Sequence, residues 1–397
     1  MRVSTAGCHV HACVDMRVSS VGVGHGQANL AMAPGLATAP GRQRPAIPHT
    51  MTYTICQPDL DHDRETVLDL WKRNLPAASA DRYAWLYEAG PATGWLLSAA
   101  DGTVVGATGL MDRAMRVFGE SLRAGQAIDL NVDQDHRTLG PALGLQRAVT
   151  ATVRRREHDL IYALPIAQSE PVLRRAGYRV LGNVGRWVKP LCCRDVLARW
   201  LRPTLNHRAA TAAINGLLHL ASPERYYHRS ADVRVEVTDR FDRRFDVLWE
   251  AAAGQFPVVG QRTSAYLSWR FGRCPDVRHR VFCLLSAEGR LLAYLVYCRR
   301  EDIVQIGDFL FADPHKLDVL LAEFLRQMRR ERAKAVTTVY LGPEVVCHRL
   351  RRFGFWKRPS PWKAMVYADR QRFGPEPGRL LDTENWYLTR ADADTDF

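Results

Sequence analysis

Apolar and polar positions alternate along most of the chain in two rhythms. One has the spacing of helices; the other consists of short strand-like runs. From Arg64 to Asn74 the apolar residues Val67, Leu68, Leu70 and Trp71 fall on roughly one helical face. Trp95–Ala99 and Thr103–Leu110 are strand-like and flank Asp101-Gly102. Asp-Gly between apolar runs marks a tight hairpin, because Gly accepts the positive φ of the turn. Gln126–Val132 predicts another strand, and Pro141–Arg156 predicts a helix with Ala142, Leu145, Val149 and Val153 on one face. Arg154, Arg155 and Arg156 close that helix, where cations suit the helix dipole. Leu160–Leu164 reads as a buried strand, and Glu170–Arg175 as a short helix capped by Gly177.

The same order then recurs. Asp239–Ala253 predicts a helix, and Val281–Leu285 and Leu291–Cys298 flank Glu288-Gly289. Ile303–Phe311 reads as a strand, His315–Arg330 as a helix, Ala335–Leu341 as a strand, and Val346–Arg352 as a helix before Gly354. Letters repeat with the pattern. Leu173-Arg174-Arg175-Ala176-Gly177-Tyr178 matches Leu350-Arg351-Arg352-Phe353-Gly354-Phe355. Asp129, His136 and Arg137 match Asp308, His315 and Lys316 at one offset, and Trp85 and Pro91 match Trp269 and Pro275 at a similar one. Matches in the same order argue for duplication of one unit. The expected organisation is an extension over 1–50, a first α/β domain over 51–190, a basic helical linker over 191–235, a second domain over 236–370 and a tail over 371–397.

Composition narrows the setting. Of the 397 residues 47% are hydrophobic and 24% charged, an ordinary globular balance. No run of eighteen apolar residues predicts a membrane span. The nine cysteines form no Cys-x-x-Cys pair, so reduced thiols in a cytoplasmic protein are expected rather than a metal site. The net charge of +13 suits an anionic partner, but charge alone does not choose among CoA phosphates, nucleic acid and acidic lipid. Residues 1–50 are rich in Gly, Ala, Ser and Pro and read as disordered, with Met51 a candidate true start. In 191–235, Arg194, Arg199, Arg202 and Arg208 interleave with Leu197, Trp200 and Leu201. That pattern fits a linker packed on the protein, or an amphipathic helix in peripheral contact with an anionic membrane.

The segment with chemical content joins a strand to a helix: Val132-Asp133-Gln134-Asp135-His136-Arg137-Thr138-Leu139-Gly140-Pro141-Ala142-Leu143. A Gly there lets backbone approach an anion without a Cβ in the way. The unbonded N–H groups of the first helical turn then point at that anion. Arg137-x-x-Gly140-x-Ala142 after a strand resembles the R/Q-x-x-G-x-G/A signature of the GCN5-related N-acetyltransferase (GNAT) superfamily. The preceding hairpin, the following buried strand and the terminal Gly177-Tyr178 pair match as well. The resemblance covers about 52–190 and, more faintly, about 236–368. It is similar to the tandem double-GNAT proteins, among them Fem-type and mycothiol-type acyltransferases.

The resemblance implies an α/β fold of two tandem GNAT-like domains, each a mixed, mostly antiparallel sheet flanked by helices. It implies acetyl-CoA or another acyl-CoA as co-substrate, an amine as acceptor, and no metal. Strands 126–132 and 160–164 are expected to splay apart around pantetheine. Backbone near Leu130 and Val132 would pair with the pantetheine amides. N–H groups from Thr138, Leu139, Gly140, Ala142 and Leu143 would hold the pyrophosphate; Pro141 has no N–H, and Arg137 would add charge. Asp129, on the strand passing the thioester, is the candidate general base; its repeat at Asp308 equally fits a structural hydrogen-bond role. His136 reads as a loop residue beside phosphate rather than a base. The phenol that the family often places four residues before the Gly-aromatic glycine is here Leu173, which leaves Tyr162, Tyr178 or water to protonate the thiolate.

In the second domain the offset of Asp129 to Asp308 sets Val319 and Leu321 against Gly140 and Ala142, so no CoA site is expected there. Tyr266, Trp269 and Arg270 are either acceptor lining or core. Three functions remain at this point. One is transfer of an acyl group from acyl-CoA to an amine of a small molecule, sugar or protein. Another is a Fem-like transferase using aminoacyl-tRNA, although no nucleic acid partner is expected, since that reading does not need the Gly140 cradle. The third is a non-catalytic module that binds CoA or an anionic surface.

Overall fold

The computed structural model describes residues 14–18, 51–59, 62–75, 78–192, 213, 216, 220, 222–227, 233–374 and 378–394. Most of the 1–50 extension and most of the basic linker therefore lie outside the described residues.

In the first half the strands are β1 (Val14–Val18), β2 (Met51–Cys56), β3 (Ala92–Ala99), β4 (Val104–Val117), β5 (Glu120–Val132), β6 (Leu160–Ala163), β7 (Arg179–Asn183) and β8 (Gly185–Pro190). Its helices are α1 (Arg64–Asn74), α2 (Ala80–Tyr83), α3 (Leu139–Arg154) and α4 (Glu170–Ala176). The second half carries β9 (Val233–Thr238), β10 (Val258–Gly260), β11 (Arg280–Ser286), β12 (Leu291–Arg300), β13 (Ile303–Phe311), β14 (Ala335–Tyr340), β15 (Trp356–Arg358), β16 (Lys363–Ala368) and β17 (Trp386–Tyr387). Its main helices are α5 (Arg243–Ala252), α6 (Pro314–Arg330) and α7 (Glu344–Arg352).

Two sheets, each mostly antiparallel and flanked by helices, form the molecule. One runs β1-β2-β3-β4-β5-β6-β16-β7, with β10 and β17 attached through β4. The other runs β15-β8-β14-β13-β12-β11-β9. The halves exchange strands. β16 enters the first sheet between β6 and β7, and β8 pairs with β14 and β15 in the second. β10 adds to the end of β4. A shared core with Met115, Leu160, Tyr162, Val258, Val339, Val366 and Trp386 follows from this exchange.

Each sheet contains a parallel pair. β5 runs parallel to β6 over Ala124–Ala127 against Leu160–Ala163, and β13 runs parallel to β14 over Ile303–Ile306 against Ala335–Thr338. Trp85 and Trp269 sit in matching π-helical turns and stack at 4.9 Å. Each indole N–H donates to the other's backbone carbonyl, at 3.0 and 3.1 Å. Gly177 ends α4 with φ of 100°, the left-handed cap that glycine favours.

The register of the two helices differs from that of the strands before them. The connection from β5 to α3 is Asp133–Thr138 and contains a short 3-10 turn; from β13 to α6 it is only Ala312 and Asp313. Counted from the helix starts, Thr138 corresponds to Asp313 and Gly140 to His315. The expected match of Gly140 to Val319, and of His136 to His315, therefore does not hold. The loop shortened, so the strand offset does not carry into the helix.

Candidate active site

β5 leaves β6 after Ala127, and beyond that rung its edge has no strand partner on this side among the described residues. Parting of parallel strands frees main-chain N–H and C=O groups that must find another partner. A cleft of about 220 Å³ opens there. Ala127, Ile128, Asp129 and Leu130 line one wall; Ala163, Leu164, Pro165, Ile166, Ser169 and Leu173 line the other; Leu75, Gln146 and Asp394 close it. This is the groove expected between strands 126–132 and 160–164.

Asp129 sits at a bulge. Gly109 faces Ile128 while Ala107 faces Asn131, so Thr108 alone opposes Asp129 and Leu130. Asp129 takes φ of 53°, a left-handed conformation uncommon outside glycine, Asn and Asp. Its carboxylate accepts from Tyr87 Oη at 2.9 Å and pairs with Arg82 Nη1 at 3.0 Å, while Asn131 Nδ2 donates to its backbone oxygen at 2.7 Å. Tyr87 reaches it only because residue 109 is glycine: a Cβ there would lie 2.2 Å from the phenol oxygen. Arg82 is buried against the Trp71 ring and also holds Asp394 Oδ2 at 2.9 Å. Burial would lower the Arg82 pKa, but Asp129 and Asp394 outweigh it and keep the guanidinium charged. Burial pushes the Tyr87 phenol well up. The Asp394 carboxyl is raised by burial and by Asp129, against the pull of Arg82.

The helix mouth lies at the end of the same strand. Leu130 lines the cleft; Val132 is buried, and its carbonyl accepts from Arg137 Nε and Nη2, both at 3.1 Å. Arg137 Nη2 also reaches Asn74 Oδ1 at 3.0 Å, so this exposed Arg is tied back to the strand. Thr138 is the N-cap of α3, and its side chain makes no capping hydrogen bond among the described residues. Its own N–H goes to the His136 carbonyl at 2.7 Å. Pro141 lacks an N–H, and Ala142 and Leu143 lie past the first turn, where N–H groups bond within the helix. Of the expected donors, Leu139 and Gly140 remain. His136 meets Tyr53 Oη at 3.1 Å.

Other expectations are redistributed. Leu173 does line the cleft, so the wall where the family often sets a phenol is aliphatic. Tyr162 turns away and donates to the Asp392 carbonyl at 3.0 Å, and the Tyr178 hydroxyl is buried with no partner among the described residues. Burial pushes both phenols up, and neither lines the cleft. Tyr266, Trp269 and Arg270 are not cleft lining either. Tyr266 Oη donates to the Ala391 carbonyl, and Arg270 donates to the carbonyls of Ala393 and Arg390 at 3.0 and 3.1 Å. They anchor the chain's C-terminal segment. Sequence reasoning missed Arg82, Tyr87, Gly109 and Asp394, because no local spacing links these positions to Asp129.

In the second half the corresponding parting, beyond Ile306 and Thr338, is filled by that segment. Leu388 bridges Leu341, Tyr387 Oη donates to the Phe309 carbonyl, and Thr389 Oγ1 donates to Asp308 Oδ1 at 2.6 Å. Asp308 is fully buried and also accepts from Tyr294 Oη at 2.7 Å. The mouth of α6 is closed by its own N-cap, Asp313, which accepts from the N–H groups of His315 and Lys316 at 2.8 and 3.2 Å. Val319 is only packed against the core.

The first half thus combines an α/β sheet that parts beside a bulged strand with a helix mouth whose N-cap side chain makes no capping bond. Residues 61–181 match the family described as Acetyltransferase (GNAT) domain. Among solved structures the chain is similar to a conserved Enterococcus faecalis V583 protein described as a probable N-acyltransferase (10% identity, 80% of this chain and 72% of that one, TM-score 0.59). It is similar to a GCN5-related N-acetyltransferase from Anabaena variabilis (12% identity, 80% and 72%, TM-score 0.58). Another from Kribbella flavida follows at 15% identity (79% and 71%, TM-score 0.52). No curated protein matches the chain in sequence. Among the described residues no cluster of His, Cys, Asp or Glu could hold a metal, and no helix is long and apolar enough to cross a membrane.

Proposed function

We propose that the chain is a cytoplasmic acyl-CoA-dependent N-acyltransferase. Residues 51–190 would bind the acyl-CoA, and 236–370 would be a degenerate copy that does not. The observation that carries this reading is the unpaired β5 edge, which runs from the buried Asp129 past Leu130 to the free N–H groups of Leu139 and Gly140. Pantetheine would lie along that edge, with its pyrophosphate at the helix mouth, where N–H groups and the helix dipole favour negative charge.

Asp129 would act as the base. An acceptor ammonium loses a proton to the carboxylate, directly or through water; the neutral amine's lone pair attacks the thioester carbon, and the nitrogen's further proton balances the one that the departing thiolate takes up. Main-chain N–H of the bulged strand polarises the carbonyl oxygen. The C–S bond breaks, the amide forms, and the CoA thiolate takes up a proton. The Ser169 hydroxyl, on the cleft wall one turn before Leu173, would supply that proton.

Isothermal titration with acetyl-CoA and longer acyl-CoAs tests the reading, followed by product formation on a panel of amines. A folded wild type that binds no acyl-CoA would overturn it. One observation favours a second reading: with Leu173 in the phenol's place, the cleft could bind CoA without turning over. Tight binding with no product on any amine would select that alternative.

A further inference from the structure

The second half reaches into the first half's cleft with one acidic side chain. Asp129 and Asp394 are the charged side chains lining that cleft among the described residues, and the rest of the lining is aliphatic apart from Gln146 and Ser169. One buried guanidinium, Arg82, lies behind both carboxylates. Two carboxylates share one guanidinium, so acidic groups outnumber basic ones at the cleft, in a chain whose net charge is +13. A locally acidic floor in a basic protein selects for a cationic visitor, and an apolar wall strengthens the selection by excluding water.

The position of Asp394 is built. Arg262 and Arg113 clamp Asp392 two residues earlier, at 2.8 and 3.0 Å to Oδ1, and Arg270 holds the Ala393 carbonyl at 3.0 Å. The Gln126 amide stands beside Asp394 as well, 3.3 Å from its carboxylate Oδ1. Arg82 holds Oδ2.

We propose that Asp394 is an acceptor-binding residue, which holds a positively charged amine of the acceptor beside the acyl group, and that the acceptors are accordingly molecules with more than one cationic amine. This rests on the acyl-CoA reading of the cleft. One ammonium of the acceptor pairs with Asp394 while a second amine gives its proton to Asp129 and attacks the thioester. The second half's filled parting then has a role in the reaction: it fixes the segment that carries the acceptor's counter-charge.

The test compares wild type, Asp394→Asn and Asp394→Glu with acetyl-CoA and two acceptors, 1,4-diaminobutane and aniline, which is uncharged at neutral pH. Acetyl-CoA titration and thermal melting serve as controls. The expected result is a KM for diaminobutane raised about tenfold or more in Asp394→Asn, a loss several-fold larger than any change with aniline, while acetyl-CoA affinity stays within about twofold of wild type. Asp394→Glu should recover most of the loss. Equal effects on both amines, or no effect, would overturn the assignment, as would a wild type that binds acetyl-CoA yet does not acetylate diaminobutane. A wild type that binds no acetyl-CoA removes the acyl-CoA reading itself, and this inference with it.

Discussion

The two halves treat the same structural problem in opposite ways. In each, a pair of parallel strands diverges and a helix begins beside the gap, which leaves main-chain donors and acceptors to satisfy. In the second half the protein satisfies them itself: Trp386–Thr389 fill the parting and Asp313 caps the helix. In the first half the strand edge faces a cleft and Thr138 leaves the helix uncapped. Groups that one half uses for its own hydrogen bonds face a cleft in the other. Asp129 and Asp308 show the same divergence. Both hang on a tyrosine and an arginine, but Asp308 is sealed under Thr389, whereas Asp129 opens on the cleft.

The comparison breaks most violently at the filled side. Asp392 is buried between Arg262 and Arg113 and accepts from the Thr389 N–H at 3.0 Å. Removing one member of a buried ion cluster leaves uncompensated charge, a loss of about 3–5 kcal/mol. Asp392→Ala should therefore lower the urea or thermal midpoint sharply, and it should release Asp394 from the first cleft. A variant as stable as wild type would mean that the C-terminal segment is not held as described.

The same cluster gives the acid limb of stability. Burial would raise Asp392, but Arg262 and Arg113 outweigh it and hold the carboxyl below its ordinary value. The folded state thus binds fewer protons at this site than the unfolded one. Its stabilisation is complete above the unfolded carboxylate range and is lost as pH falls through the folded value. Asp308 and Asp394 are raised, chiefly by burial, and act in the opposite sense. Urea midpoints taken downward from neutral pH should fall in wild type, and the slope should flatten in Asp392→Asn. An unchanged slope would assign the acid limb to other groups.

At the open side the effects should be on binding rather than folding. Gly140→Val sets a branched side chain in the first turn of α3, and acetyl-CoA affinity should drop about tenfold or more, about 1.4 kcal/mol. A folded variant with unchanged affinity, by titration calorimetry, would remove the helix mouth from the binding site.

How much of this was legible in the sequence follows the range of the interactions. The β5–α3 junction and the α4 cap at Gly177 are local, and each carries its own residue signal. The strand exchange of β8 and β16 is not local. Both segments look like ordinary last strands of their own halves, and only three-dimensional pairing sends each across. The C-terminal Arg390-Ala391-Asp392-Ala393-Asp394 has the composition of a solvated tail, yet its acids meet Arg262, Arg113 and Arg82 inside the protein. The four residues missing between β13 and α6 also misled the alignment of Val319 with Gly140, because a strand offset says nothing about a loop length.

The smallest expected effect is the sharpest comparison, because it exchanges the two helix caps. Asp313→Ala frees the N–H groups of His315 and Lys316 and should cost about 1 kcal/mol of stability, the usual worth of an N-cap. It should not create a second acetyl-CoA site, since Trp386–Thr389 still occupy the parting. Thr138→Asp does the reverse in the first half. A carboxylate at that N-cap would bond the first-turn N–H groups and repel a pyrophosphate, so stability should rise slightly while acetyl-CoA affinity falls. Denaturation and titration of these two variants read opposite signs from equivalent positions. If Thr138→Asp bound acetyl-CoA as tightly as wild type, the free amides of Leu139 and Gly140 would not be what distinguishes the two halves.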